Sequence, residues 1–554
     1  MRLIRDAARE AEVNQSHREA LTHLRAALNL VPEGFEEERA ELLDEIAWQA
    51  ASASDHTAGI PALRALEGLV VGDPVALGTV KMRLSSFLAT GLGDLQAAER
   101  EASEAVRLFR ESEAEDRLPG ALNELAWIRG EGGDLEAQIE GSREALALAE
   151  KHGNAVAVMH ALGPLGHGLG LLGRTEEAVA VGARGLEMAT AAEDRSQIGW
   201  HTGVLTESLM NGGRLREAAR LADGLLDAGP SVSDVAYFAR ARLNWNLGRW
   251  TMALSDCLAI QALHPTTPSV HSAWTLSLAG SLQTAMGDAA SAEPFLAQAE
   301  RVYSGRDFYV FTAYHDWALG CARWFGGEPE TARDRLNRSV AQLERLAALP
   351  VLAQILPDLI EVALLAGDVD GAVAGAERLG AIREVLGDPV TATQASYGAG
   401  LAAVARRRAT AVTDSFREAA ARAAEVGMPF IRARSLEHLS GTLEGQERVD
   451  PLSEAARLYA ALPAPAHEER AVASLRSLGT AGRRAAQGVG ALTQREREVA
   501  VLAQQGLTSR AIAERLHVSE RTVESHLAHI FRKLQVAGRK ELTTVGPLPP
   551  TSPQ

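Results

Sequence analysis

A glycine followed five residues later by an alanine recurs along most of this chain. The pair occurs at Gly93 and Ala98, Gly173 and Ala178, Gly213 and Ala218, Gly248 and Ala253, Gly287 and Ala292, Gly327 and Ala332, and Gly367 and Ala372. Gly133 keeps the spacing but has Gln138 in the alanine position. Successive glycines stand 40, 40, 40, 35, 39, 40 and 40 residues apart. A period of this length means stacked copies of one supersecondary unit, none of which can bury its apolar face alone.

The pattern extends backward from each glycine. Small residues lie seven positions before it, at Ser86, Ala126, Gly166, Ala241, Gly280 and Gly320, and leucines one position earlier, at Leu125, Leu165, Leu205, Leu319 and Leu359. This reads as a helix ending in a leucine and a small residue, a glycine turn, and a second helix with alanine in its first turns. Degenerate copies precede the regular ones, ending at Ala20 and near Gly59, and an irregular pair follows around Phe416–Ala423. The unit resembles the tetratricopeptide repeat, stretched from about 34 residues to about 40. The resemblance implies an all-α fold, a tetratricopeptide-like α-solenoid of helix pairs with a concave groove.

Composition agrees with packed helices: 46% of residues are hydrophobic and only 5% aromatic. Two cysteines, Cys257 and Cys321, cannot make a disulfide framework, which suits a reducing cytosol. The N-terminus has no signal-peptide apolar core, and no apolar run approaches a membrane span, so a cytoplasmic protein with no membrane partner is expected. The expected organisation is a solenoid over residues 1–462, a short helix and glycine-rich linker over 463–491 after Pro463 and Pro465, a second domain over 492–545, and a disordered proline-rich tail over 546–554.

The formal net charge of −16 argues against nucleic acid until its distribution is considered. Nine Lys or Arg against six Glu give residues 492–542 a net +3, and residues 1–491 carry −19. An acidic body repels DNA, so docking falls to the C-terminal domain.

That domain reads as three short helices. Thr493 and Glu496 form a capping box, Gly506 stops the first helix, and Thr508 or Ser509 caps a second ending near Leu516. Ser519 caps a third running to about Leu534. Val523, Leu527, Ile530, Phe531 and Leu534 make its buried stripe, while Arg521, Glu524, Ser525, Ala528 and Arg532 share another face. Two helices joined so tightly make a helix-turn-helix.

The segment resembles the DNA-binding domain of LuxR-type transcription regulators. The matching pieces run from Leu492 to Val499, then through Ile512, Ala513, Leu516, Val518, Ser519, Thr522, Val523, His526, Leu527, Ile530, Lys533, Leu534, Val536 and Arg539. The resemblance implies a recognition helix in the major groove, with Glu524, Ser525 and Ala528 toward base edges. Arg510, Arg521, Thr522, His529, Arg532 and Lys533 are the candidate phosphate contacts. Glu524 departs from the lysine common at that position; a carboxylate repels phosphate but accepts from cytosine N4. Pairing of two domains through a fourth helix, Lys540–Val545, is also implied.

A solenoid followed by such a domain resembles the C-terminal part of the large ATP-dependent LuxR-type regulators, the MalT-like class. No G-x-x-x-x-G-K-[ST] motif is present, so the resemblance covers solenoid and DNA-binding domain but not the motor, and no cofactor is expected. A phosphoacceptor receiver domain ahead of the repeats is not expected either. No H-E-x-x-H, C-x-x-C or G-x-S-x-G pattern occurs, so no enzyme is expected. His526 and His529 lie three apart with no further ligand nearby, so no metal is expected.

Thirteen residues before the turn glycines stand His160, Trp200, Trp274 and Tyr314, a position that points into the groove of tetratricopeptide-like repeats. Six before them stand Trp127, His167, Glu207, Arg242 and Glu361. These side chains suit a peptide or small effector, or else pack between the long repeats. The chain is expected to be a sequence-specific DNA-binding transcription regulator whose solenoid senses a protein or small-molecule effector. The competing expectation is a protein–protein interaction scaffold.

Overall fold

The computed structural model describes residues 2–14, 16–53, 55–224, 234–263, 270–304, 309–478, 492, 494–516, 518–534 and 538–542. From Arg2 to Ser477 the described residues form a succession of helix pairs, such as Leu118–Glu131 with Leu135–Lys151 and Ala155–Leu171 with Thr175–Ala191. No strand occurs among the described residues.

The repeat marker has a local cause. All eight turn glycines adopt φ between 69° and 103°, the left-handed region that a side chain disfavours. Asp94, Asp134, Asp288 and Asp368 follow directly and accept a backbone N–H in the first turn of the next helix. A C-terminal stop and an N-terminal cap thus sit on adjacent residues, which makes the hairpin tight. The seven marker alanines are at most 1% exposed, because the paired helices approach most closely there. Gln138, the exception, is also buried and donates from Nε2 to the Pro164 carbonyl at 2.9 Å. Gly130 makes room for it, since a Cβ there would clash with the Gln138 amide.

Four of these glycines serve a second contact. A Cβ on Gly173 would meet Pro350, one on Gly213 Asp388, one on Gly248 Pro429, and one on Gly287 Pro465, each 175 to 181 residues further along the chain. Pro350, Pro429 and Pro465 all stand in the first turn of a helix, where a missing N–H costs nothing. The solenoid therefore coils until one superhelical turn rests on the next, about four and a half repeats later. Inner helices such as Leu349–Leu365 and Pro389–Ala405 are consequently buried on most sides.

One apolar core runs from Leu135 to Leu475 and another from Ala8 to Ala161. The helix Pro465–Ser477 belongs to the array rather than to a linker: Ala471 and Leu475 are 0% exposed in the larger core. Pro463 and Pro465 do not break the array, because Pro465 opens a helix. The glycine-rich stretch at 479–491 and the tail at 546–554 lie outside the described residues.

Candidate nucleic-acid interface and central cavity

The C-terminal domain consists of helices Gln494–Gln504, Ser509–Leu516, Glu520–Leu534 and Arg539–Leu542. Gly506, at φ 84°, ends the first. Thr508 Oγ1 accepts from the Ala511 N–H at 3.2 Å, and Ser519 Oγ from the Thr522 N–H at 3.0 Å. Val499, Ile512, Val523 and Ile530 are 0% exposed and form a core of their own. Two arginines that sequence reading left without a role fasten the helices together. Arg495 donates to the Leu516 carbonyl at 2.7 Å, and Arg539 donates to the Leu507 carbonyl and to Ser509 Oγ. Both reach main-chain or capping groups, a role with no residue-type signature. Thr493 and residues 543–545 of the expected fourth helix lie outside the described residues.

The polar face of Glu520–Leu534 is free of this core. Glu524, Ser525 and Ala528 are exposed; Thr522 and His529 are half-buried. The Arg521 side chain is 77% exposed, with its guanidinium 3.9 Å from the Asp288 carboxylate of the solenoid. Arg510 is 80% exposed and pairs with Glu514 at 3.2 Å, a contact that water and phosphate can displace. The side chains of Arg532 and Lys533 lie outside the described residues.

In the solenoid the inner face lines a half-open cavity of about 900 Å³. Trp48, His56, Met82 and Phe87 come to it from early repeats, Trp127, His167 and Trp200 from the middle, and Phe238, Phe311 and Tyr314 from beyond. The rings touch one another: Trp127 lies 5.2 Å from His167 and 5.4 Å from Trp200, and Phe238 lies 5.9 Å from both Phe311 and Tyr314. Of the four aromatic or imidazole positions thirteen before the turn glycines, the cavity brings together Trp200 and Tyr314. Trp274 does not face it: fully buried against Phe238 and Tyr314, it is a core residue. His160 is exposed outside the cavity lining. The position six before the glycine was the better guide, since Trp127, His167 and Glu207 all line the cavity. Phe87, six before Gly93, shares that position, whereas Trp48, Phe238 and Phe311 stand at neither spacing and are brought in by superhelical coiling.

A second cluster has the outline of a nucleophile with its base. Ser277 Oγ lies 2.7 Å from His315 Nδ1, and His315 Nε2 lies 2.9 Å from Glu300 Oε2. The hydrogen bond from His315, opposed by burial and aided by Arg335, lowers the Glu300 carboxyl to about 2. Ser277 is 0% exposed and Tyr303 stacks on the imidazole at 4.8 Å, so no substrate carbonyl can reach the hydroxyl. The cluster is a buried fastener. Burial pushes the thiols of Cys257 and Cys321 well up, leaving them protonated and inert. Among the described residues no group of side chains has the makings of a metal site, and no helix is long and apolar enough to cross a membrane.

The geometry defines a helical-repeat protein ending in a helix-turn-helix domain. Residues 490–545 match the family described as bacterial regulatory proteins, luxR family. The spore germination protein GerE of Bacillus subtilis is 46% identical over 50 residues, which are 9% of this chain and 68% of that one. Through this domain the chain belongs to the LuxR family. A putative HTH-type transcriptional regulator of Mycobacterium bovis is 48% identical over 60 residues, 11% of this chain and 7% of that one. The nitrate/nitrite response regulator protein NarL of Escherichia coli is 42% identical over 53 residues, 10% of this chain and 24% of that one. The match thus spans a small part of the mycobacterial regulator's length. Among solved structures, the Cut9–Hcn1 assembly of the APC/C superposes with a TM-score of 0.44 at 11% identity, over 98% of this chain and 95% of that one. A Rap protein in complex with Competence and Sporulation Factor superposes with a TM-score of 0.40 at 13% identity, over 59% of this chain and 98% of that one. The tetratricopeptide-like solenoid rests on the helix pairs described above.

Proposed function

We propose that this chain is a cytoplasmic, non-enzymatic transcription regulator that binds specific DNA through residues 492–545 and senses a protein or small-molecule effector through its solenoid. The observation that carries the reading is the exposure of Glu524, Ser525 and Ala528 on the polar face of Glu520–Leu534, in a domain of the LuxR family. Glu524, Ser525 and Ala528 face the base edges. Arg510, Arg521, Thr522, His529, Arg532 and Lys533 hold phosphates. Two copies bind half-sites roughly 10 bp apart, since one domain offers few base contacts.

The test is binding-site selection from genomic fragments, followed by affinity measured against salt. Lys533→Ala weakens all sequences alike and flattens the salt slope by about one unit. Glu524→Lys changes which bases are preferred. An unchanged site motif in the Glu524 variant removes that residue from the readout. If the full chain shows no sequence preference, the regulator reading fails in favour of a protein–protein scaffold.

A further inference from the structure

We propose that the central cavity is the binding site for an uncharged small molecule with an aromatic or polycyclic body. The assignment rests on the regulator reading only for its biological use, and it narrows the effector to one chemical class.

Size is the first observation. About 900 Å³ lies at the upper end of the range that encloses a drug-sized ligand. The second is that the wall is built in advance. A Cβ on Gly163 would clash with the Trp200 indole, one on Gly59 with the Phe87 ring, and one on Gly91 with the His56 imidazole. Three lining rings are therefore seated in notches that only glycine leaves open. Gly91 belongs to a π-helical turn, Leu88–Leu92, whose Thr90 also lines the cavity. Such turns interrupt α-helices mostly where a site is being shaped. Rings held in fixed positions offer flat apolar faces without paying ordering entropy when a ligand arrives.

The third observation concerns charge. The two charged residues of the lining are already neutralised: Glu207 pairs with Arg242 at 2.6 Å, and Arg83 with Asp44. Arg242 also stacks over the Tyr314 ring at 4.3 Å. Glu124 is not part of the lining; burial lifts its carboxyl to about 7 against hydrogen bonds from Ser85 and Ser86. A charged group laid against these walls would give up part of its hydration and find no free counter-charge in the lining. Burial keeps Tyr314 protonated and favours the neutral His56 imidazole, so neither adds a charge to the wall. The fourth observation is position. Phe87 belongs to the N-terminal core, whereas Phe238, Phe311 and Tyr314 belong to the larger one. An occupant touches both and ties them together.

The experiment titrates the full chain with three fluorescent probes of similar size: neutral Nile red, anionic anilinonaphthalene sulfonate and cationic acridine orange. The expected result is saturable binding of one Nile red per chain, with quenching of tryptophan emission. Val235→Trp, which fills the cavity, weakens that binding by about tenfold or more at unchanged helical circular dichroism. Trp200→Ala, which removes a wall without adding bulk, weakens it as well and guards against a filled variant that fails to fold. Equal Nile red affinity in wild type and both variants overturns the assignment, as does preference for either charged probe or the absence of saturation. A peptide partner that binds while Nile red does not also overturns it. DNA binding is read on the same preparation. A chain that holds the probe and ignores DNA sinks the regulator reading alone, and the converse sinks the cavity alone.

Discussion

Around Trp127, His167 and Trp200 the inner face of the superhelix borders a half-open cavity; around Glu361, Tyr397 and Arg434 it is filled by a buried ionic network. The two stretches share one repeat and one register, since Trp127, His167 and Glu361 all stand six residues before a turn glycine. In the second stretch Arg434 is 1% exposed, donates to Asp358 at 2.8 Å and to Glu361 at 2.6 Å, and stacks over Trp324 at 4.7 Å. The Tyr397 hydroxyl donates to Glu361 at 2.5 Å. Burial works against the Glu361 carboxylate, but the charge of Arg434 and hydrogen bonds from His438 and Tyr397 hold it well below the usual range. The backbone is thus indifferent to whether the groove is binding space or fastener. Side chains at equivalent positions decide it: flat rings that leave a gap, or charges that must meet.

The largest effect is expected where that network is cut. Arg434→Met strands Asp358 and Glu361 as buried carboxylates, at a cost of about 3–5 kcal/mol, seen as a lower unfolding midpoint in urea. Replacing Arg434, Asp358 and Glu361 together by apolar residues of similar volume should recover most of that loss. If the single variant is as stable as wild type, the network is not a fastener and the contrast collapses.

Acid offers a second lever, acting on both stretches. Burial lowers His201 and His467 to about 4, and neighbouring groups only modify this. An unfolded histidine titrates near about 6.5, so between these values the unfolded chain binds more protons and stability rises with pH. Each ring should cost up to about 3 kcal/mol as pH falls from roughly 6.5 to 4, with no further loss from these rings below. Midpoints measured across that window should flatten in a His201→Gln, His467→Gln double variant. An unchanged slope would mean that other groups carry the acid sensitivity.

The smallest effects separate the seated wall of the cavity from ordinary helix surface. Gly163→Ala forces Trp200 from its notch, and overpacking should cost about 1–3 kcal/mol and weaken Nile red binding. Gly380→Ala, in the helix Val369–Leu386 with no neighbour near the added methyl, should instead stabilise by up to about 1 kcal/mol. Melting temperatures of the two variants moving in the same direction would dissolve the distinction.

Much of this was legible in the residues alone. The turn glycines, the buried alanines and the caps at Thr508 and Ser519 are decided by neighbours a few positions away, and such rules act on any chain that carries them. So is the exposed face of Glu524, Ser525 and Ala528, because a helix of known phase fixes which side is opposite its apolar stripe. Other features arose only in the folded superhelix. The contacts of Gly173, Gly213, Gly248 and Gly287 lie 175 to 181 residues away, and depend on rotations accumulated over several repeats. The same accumulation buries Trp274 while leaving Trp200 on the cavity wall, although both stand thirteen residues before a turn glycine. It also carries Pro465–Ser477 onto the array, where the sequence suggested a short helix outside it, ahead of a linker. Periodicity specifies each pair, but small angles summed over many pairs decide what meets across the groove.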